Sequence, residues 1–409
     1  METPRPPRRP DDLIEAVQLT GTPAYIYDLS VLRERIDQLK SHLQGVPTLL
    51  KYAMKANSAP PLLDVIRKQG LGIDAVSPGE VELAVRVGFR PDQILFSGNN
   101  MTDEEMRGAH TAGVRLNIGE LSRLKRYGEA YPGSKVCIRI NPNIGAGHHA
   151  HVITAGEDSK FGIPVNQLSE IIRIARQQDL IIDGIHQHIG SGILDTDVLW
   201  RAMSVLLEAA LEFPHLSFIN VGGGLGIPYA PGDRALDMDR WESVIVNPLK
   251  EYLSRHPSSH LSIMLEPGRF LVAESGTLVV QTNTVKETAT RTFVGVDSGM
   301  GHLVRPALYG AFHAISNLSN PDGELRPYDV VGNICESADF FARDRMIQSI
   351  REGDLLAIQD AGAYGMSMFS PYNTRSAPAE VLLTADGPVI YRQRMSATDL
   401  VHWLYPGLP

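Results

Sequence analysis

Cysteine is almost missing: Cys137 and Cys335 are the only two among 409 residues. Two thiols so far apart build no disulfide framework, and neither belongs to a CxxC metal pair. A reducing compartment fits, so a cytoplasmic location is expected. Positive charge is also short, with 38 Lys and Arg against 47 Asp and Glu and a formal net charge of -9. That balance argues against a general binder of nucleic acid or anionic membranes. No apolar run approaches the roughly 20 residues of a membrane span. The first residues, "METPRPPRRPDD", carry arginine and proline with no apolar core behind them. This is not a secretory signal, and a short disordered leader is expected. No internal repeat and no further low-complexity tract stands out.

What is present is ordinary for a globular protein: 43% hydrophobic and 21% charged residues. The length suggests two domains. After a first helical stretch near residues 29–43, short apolar runs begin: "TLLKYAMKA", "GIDAVS", "QILFSG", "VRLNIG", "KVCIRINP", "LIIDGIHQHIGS", "FINVGGG" and "LSIMLEPG". Amphipathic stretches such as "PPLLDVIRKQG" and "DVLWRAMSVLLEAALEF" lie between most of them. Strands alternating with helices mean parallel pairing, and continuous apolar strands mean both faces are covered. Eight such units in roughly 220 residues predict a (β/α)8 TIM barrel. The rival doubly wound sheet would carry a glycine fingerprint after its first strand, whereas "GGGLG" follows the seventh. Beyond residue 268, runs such as "GTLVVQTNTVKE", "RTFVGVDS" and "EVLLTADGPVIYRQR" predict a mostly antiparallel β domain. The expected division is residues 1–28 as leader and N-terminal segment packing with the C-terminal domain, 29–272 as barrel and 273–409 as β domain.

Barrel enzymes place catalysis at the C-terminal ends of their strands. Lys55 is expected to end the first strand; His186, His188 and Ser191 the sixth; Gly222, Gly223 and Gly224 the seventh; and "EPGR", residues 266–269, the eighth. A lysine at a buried strand end is desolvated, which favours the neutral, aldehyde-capturing amine. The bland alternative is a lysine snorkelling to solvent. Lys51 is the weaker candidate of the two in "KYAMKANS". The strand-seven glycines, with Gly268 and Arg269, suggest a phosphate cradle in which backbone amides approach closely. An aldehyde-capturing lysine and a phosphate cradle together suggest pyridoxal phosphate, with Glu266 pairing the pyridine nitrogen and His188 against the ring face. His186 and His188, two apart on a strand, would share a face. No carboxylate or cysteine group with ligand spacing accompanies them, so no metal is expected. His148, His149 and His151 read as a loop feature, and Cys137 as packing.

In order and spacing, "YAMKAN", "VSPGE", "RINP", "SKFGI", "HQHIGSG", "GGGLG", "EPGR", "RPALYG", "ICES" and "GAYG" resemble the fold-type III, alanine-racemase-like decarboxylases that use pyridoxal phosphate. The likeness runs from about residue 23 to near the C-terminus and is greatest to members that decarboxylate meso-diaminopimelate to L-lysine. It implies that Lys55 holds the cofactor covalently, His188 stacks on it and Glu266 meets its nitrogen. Ser191, Gly224, the "EPGR" turn and Tyr364 would hold the phosphate. Cys335 would donate a proton, and Arg269, Arg305, Tyr309, Glu336 and Tyr364 would contact substrate. A homodimer is implied, its "CES" segment reaching the partner's barrel mouth. The physics agrees: the far end of meso-diaminopimelate offers a carboxylate for an arginine fork and an ammonium for Glu336. Cys335 alone would read as a small buried hydrophobe, but with Glu336 and Ser337 in a loop it suits a general acid.

The chain departs from the family pattern in "MSMFSPYNTRSAP", where Phe369 and Pro371 are bulkier or stiffer than expected while Tyr372, Asn373 and Arg375 are kept. "VDSG" at residues 296–299, in place of "VDAG", looks minor. Two alternatives stay open: a related decarboxylase acting on another amino acid or a carrier- or conjugate-linked one, and a non-enzymatic descendant. The second should have lost Lys55 or the acid, and both are present.

Overall fold

The computed structural model describes residues 6–147, 149, 154–255 and 261–408. His148 and His151 lie outside the described residues. The chain divides into two compact units, Ile36–Ile227 with Arg234–Phe270, and Met1–Arg35 with Pro228–Asp233 and Leu271–Pro409.

One strand, β1 (Ala24–Asp28), precedes the barrel. The barrel itself is β2 (Thr48–Ala53), β3 (Gly72–Ala75), β4 (Ile94–Phe96), β5 (Arg115–Ile118), β6 (Lys135–Asn141), β8 (Ile181–His186), β9 (Phe218–Asn220) and β10 (Ser262–Leu265); a two-residue β7 (Ile163–Pro164) hangs from β6. All eight barrel strands run parallel. The pairings β5 to β6 and β10 to β2 close the ring. This is the (β/α)8 barrel that the alternation predicts. Every residue of β3 and β4 is buried, as strands covered on both faces require. Helices between the strands start where their sequences say they should. Thr102 and Glu105 form a reciprocal capping box: the Glu105 amide donates to Thr102 Oγ1 at 3.1 Å, and the Thr102 amide to Glu105 Oε2 at 2.7 Å.

In the other unit the strands are β11 (Gly276–Glu287), β12 (Thr292–Val296), β13 (Ile315–Asn317), β14 (Leu325–Val331), β15 (Phe340–Gln348), β16 (Leu355–Ile358), β17 (Ala379–Thr384) and β18 (Gly387–Arg392). The sheet order is β15-β14-β12-β11-β1-β17-β18, with β16 pairing β11 and β13. Most pairs are antiparallel; β1 with β17 and β12 with β14 are parallel. The twelve-residue β11 pairs in turn with β1, β16 and β12. Because β1 is an inner strand of this sheet, the residues ahead of the barrel are part of the second unit. Leu13, Ala16 and Val17, on the helix Pro10–Thr20, pack with Ile26, Val279 and Val381. The unit ends at Arg35 rather than residue 28, partway along the helix Leu29–Ser41, and takes in the excursion Pro228–Asp233.

Gly184 sits within β8, where a Cβ would stand 2.2 Å from the Phe218 ring of β9. That pair sets how closely two site-bearing strands approach. Gly184→Val is expected to cost about 1–3 kcal/mol through overpacking, read as a lower urea midpoint with unchanged slope.

Candidate active site

β2 stops at Ala53, two residues earlier than expected, and Lys55 lies in the single 3-10 turn Met54–Ala56. That turn is pinned to the end of β10: the Ala53 amide donates to the Pro267 carbonyl at 3.1 Å, and a Cβ on Gly268 would stand 3.2 Å from Ala53 Cβ. The Lys55 side chain is 35% exposed, and its Nζ donates to Asp74 Oδ2 at 3.0 Å. The desolvation expected of Lys55 belongs instead to Lys51, which is 7% exposed; burial pulls its amine down to about 8.

Asp74 is fully buried at the end of β3, and its Oδ1 has no partner among the described residues. Burial and the nearby Glu266 push its carboxyl up, against the pull of Lys55. Glu266 goes the other way. Burial would raise it, but His186 beside it, aided by Lys55 and His188, holds it down at about 2. Its two oxygens are both occupied. His186 Nε2 donates to Oε2 at 3.0 Å, and Asn220 Nδ2 donates to Oε1 at 2.7 Å. Asn117 Nδ2 donates to His186 Nδ1 at 2.9 Å, which keeps the proton on Nε2, facing the carboxylate. Two carboxyls in one barrel mouth are thus driven apart by their surroundings.

β8 ends at His186, so His188 lies in the following loop and the two histidines do not share a strand face. His188 Nδ1 accepts the Gly223 amide at 3.2 Å; burial, Arg139 and Lys55 press the ring well below the usual histidine range. A neutral, flat ring results. Behind it Arg139 Nη2 donates to the His188 carbonyl at 3.2 Å and its guanidinium lies 4.8 Å over the Phe161 ring. Gly222 and Gly224 have φ of +77° and +103°, and a Cβ on Gly223 would meet the Glu266 carbonyl at 2.0 Å. The glycine loop is strapped to the next one by the Ile193 amide on the Gly224 carbonyl at 2.8 Å and the Gly226 amide on the Ile193 carbonyl at 2.9 Å. Arg269 Nη2 reaches Ser191 Oγ at 3.0 Å. Lys55, His188, Ser191, Gly224, Glu266, Gly268 and Arg269 therefore all belong to the barrel unit, at or just past the C-terminal ends of its strands.

The remaining expected residues belong to the other unit. Arg305 opens the helix Arg305–Tyr309 and is 1% exposed. Its Nη1 donates to His313 Nε2 at 2.8 Å, and its guanidinium lies 4.5 Å over the Tyr229 ring. His313 Nδ1 in turn donates to the Gln359 carbonyl at 2.8 Å, so Nε2 is left as the acceptor that Arg305 needs. Tyr309 is half-buried, and Tyr364 holds φ +56°, uncommon for a side chain of its size. Cys335 and Glu336 are exposed in a loop; the Cys335 amide donates to Asn373 Oδ1 at 2.8 Å. Ser298 is not minor: its buried hydroxyl lies 3.0 Å from His302 Nδ1, and Phe369 stacks on the same His302 at 6.0 Å. The two departures from the family pattern meet on one imidazole.

Sequence reading missed Asp74, Asn117, Asn220 and His313. The signal was available for Asp74 and Asn220, since each is a polar residue inside an otherwise apolar strand, where burial without a purpose is costly.

A barrel with a lysine turn, an ionised buried carboxylate, a neutral imidazole and a glycine-lined loop at its strand ends defines an enzyme built to hold a phosphorylated, ring-nitrogen cofactor. The chain belongs to the pyridoxal-dependent decarboxylases: residues 29–273 match the family described as "Pyridoxal-dependent decarboxylase, pyridoxal binding domain", so pyridoxal phosphate is its cofactor. It is 42% identical to a diaminopimelate decarboxylase of Methanothermobacter thermautotrophicus over 95% of this chain and 93% of that protein. It is 34% identical to that of Escherichia coli K12, over 93% of each. The crystal structure of diaminopimelate decarboxylase from Helicobacter pylori complexed with L-lysine is 33% identical, with TM-score 0.88, covering 97% of this chain and 100% of that one.

Asn220→Leu tests the carboxylate clamp. It removes the donor to Glu266 and the acceptor of the Gly222 amide, at 2.9 Å in the native chain. A loss of about 1–3 kcal/mol at neutral pH is expected, measured by chemical denaturation. Glu266 lies below its unfolded value of 4.5, so its contribution is complete above that pH and fades as pH falls toward about 2. With a smaller depression, the variant has less to lose across that window, and the gap between the two proteins should narrow there.

Proposed function

We propose that this protein removes one carboxyl group from meso-diaminopimelate and releases L-lysine and carbon dioxide. The reading of the chemistry is carried by Glu266, a buried carboxylate kept ionised by His186 and Asn220 in the same barrel mouth as Lys55. The reading of the substrate is supported by relatives named diaminopimelate decarboxylase along nearly the whole chain.

The residues present fit the cofactor. Lys55 supplies the amine for its aldehyde, and the Asp74 carboxylate is placed to keep that amine oriented and to take up its charge. Glu266 suits a protonated pyridine nitrogen, and the neutral ring of His188 suits an aromatic face. The glycine loop, Ser191, Gly268 and Arg269 suit the phosphate, with Tyr364 assigned to the same end. When bound, the cofactor supplies an electron sink for the pair left at the α-carbon. Glu266 would keep that sink effective by favouring a protonated ring nitrogen. The bond broken joins the α-carbon to its carboxylate; carbon dioxide leaves and a proton takes its place, donated by Cys335 or a group it orients. Arg269 and Arg305 are assigned to substrate carboxylate, Glu336 to the distal ammonium, and Tyr309 to the same contact set. The two-cysteine composition supports a cytoplasmic location, and the family likeness supports a homodimer whose Cys335 segment serves the partner's site.

No helix among the described residues is long and apolar enough to cross a membrane. The test is lysine release from meso-diaminopimelate by purified protein with pyridoxal phosphate. L-lysine, L-ornithine, L-arginine and L,L-diaminopimelate run alongside. Lysine should form from the meso compound alone, and Lys55→Ala should abolish it together with the visible absorbance of bound cofactor. Protein that carries cofactor but prefers another substrate would retain the chemistry and overturn the substrate.

A further inference from the structure

The barrel has a second lined space, at the end away from Lys55. A cavity of about 470 Å³ is bounded by Arg115 and Lys135, the first residues of β5 and β6, and by Lys51 and Asp183 further along β2 and β8, with His110 and Tyr127 on its wall. Barrel residues at this end are expected to serve stability, and an apolar plug would do that best. Three cations, Lys51, Arg115 and Lys135, against the two carboxylates Asp92 and Asp183 make a poor plug.

Lys51 is the telling one. It is 7% exposed, its ammonium has three protons to donate, and it makes one long bond of 3.3 Å to the neutral Asp92 carbonyl. It forms no ion pair among the described residues. The Asp92 carboxylate is turned to Arg90, at 2.9 Å from its Nη2. Asp183 is paired with Arg115 through Oδ2, and its Oδ1 is buried without a partner among the described residues. That leaves Lys51 and the exposed Lys135 without a contact ion pair on one cavity, with the Asp92 carboxylate acting on Lys51 only at longer range. A buried cation without a counter-ion is costly, and the cost is relieved by losing the proton or gaining an anion. Burial does press the Lys51 amine down to about 8, with Arg115 adding to the push against Asp92 and Glu266, so near neutral pH much of it stays charged.

We propose that this cavity is a binding site for a small multivalent oxyanion, held by Lys51 and Lys135 with Arg115 beside them. The shared chemistry is a doubly charged oxygen cluster, as in phosphate or a di- or tricarboxylate. The site is separate from the phosphate cradle of the cofactor, which lies beyond the opposite ends of the same strands.

The experiment is calorimetric titration of the cofactor-loaded protein with inorganic phosphate and, separately, with citrate, at ionic strength held constant with sodium chloride. One saturable site per chain is expected for at least one of them, with a matching rise in melting temperature. Phosphate binding alone assigns phosphate chemistry, and citrate binding alone assigns carboxylate chemistry. Lys51→Met should abolish the binding and the thermal shift while the visible absorbance of bound cofactor is kept. Lys135→Glu, at an exposed position that does not threaten folding, should weaken binding severalfold and stands in if the Lys51 variant does not fold. Binding that is unchanged in these variants, or saturable binding of neither anion, overturns the proposal.

Discussion

Glu266 has to remain ionised inside a ring of apolar strands, and much of the barrel mouth answers to that requirement. A carboxylate out of water loses its hydration and must be repaid by donors and charge. Here each oxygen receives one donor, from His186 and Asn220, and Asn117 fixes the tautomer of His186 so that its proton faces the acid. Asn220 also takes the Gly222 amide, so the clamp on Glu266 and the shape of the glycine loop share one side chain. Gly223 then passes its amide to His188. A chain of hydrogen bonds thus runs from the acid to the imidazole through backbone that tolerates no Cβ.

The same charge explains why Asp74 and Glu266 diverge. Two buried carboxylates that sense each other resist being ionised together, and the one with a donor on each oxygen keeps the charge. Asp74 has Lys55 on one oxygen and nothing described on the other. It is therefore directly responsive to whatever Lys55 does, whereas Glu266 feels Lys55 only through charge and has both oxygens committed to other donors. One fixed acid and one adaptable acid share the barrel mouth with Lys55.

Much of this was legible in sequence. Eight apolar runs gave eight strands, because a strand buried on both faces leaves an uninterrupted signature. The site residues at the ends of those runs fell together because closure of a parallel barrel gathers its strand ends. What could not be read were distances that depend on exact strand ends. A two-residue difference put Lys55 in a turn rather than on β2 and moved His188 off the face of His186. Desolvation chose a lysine from "KYAMKANS" on the assumption that the strand reached Lys55; the buried amine is Lys51. The β1 strand was invisible for a different reason, since five residues far from their partners in sequence carry no local pairing signal. Ser298 looked minor because its meaning depends on His302 and Phe369, which only the fold assembles around it.

Lys51 and Lys55 stand four residues apart, on a strand and the turn that follows it, and their surroundings are opposite. Lys55 has a buried carboxylate 3.0 Å away and open access; Lys51 has neither. On the proposed reading Lys55 takes up and releases the cofactor, and such an amine benefits from a partner able to follow its charge and from room to move. A buried amine on β2 costs more than an apolar side chain of the same reach, such as its neighbours there supply. A cation there, facing a cavity with Arg115 and Lys135, is what the proposed oxyanion would answer.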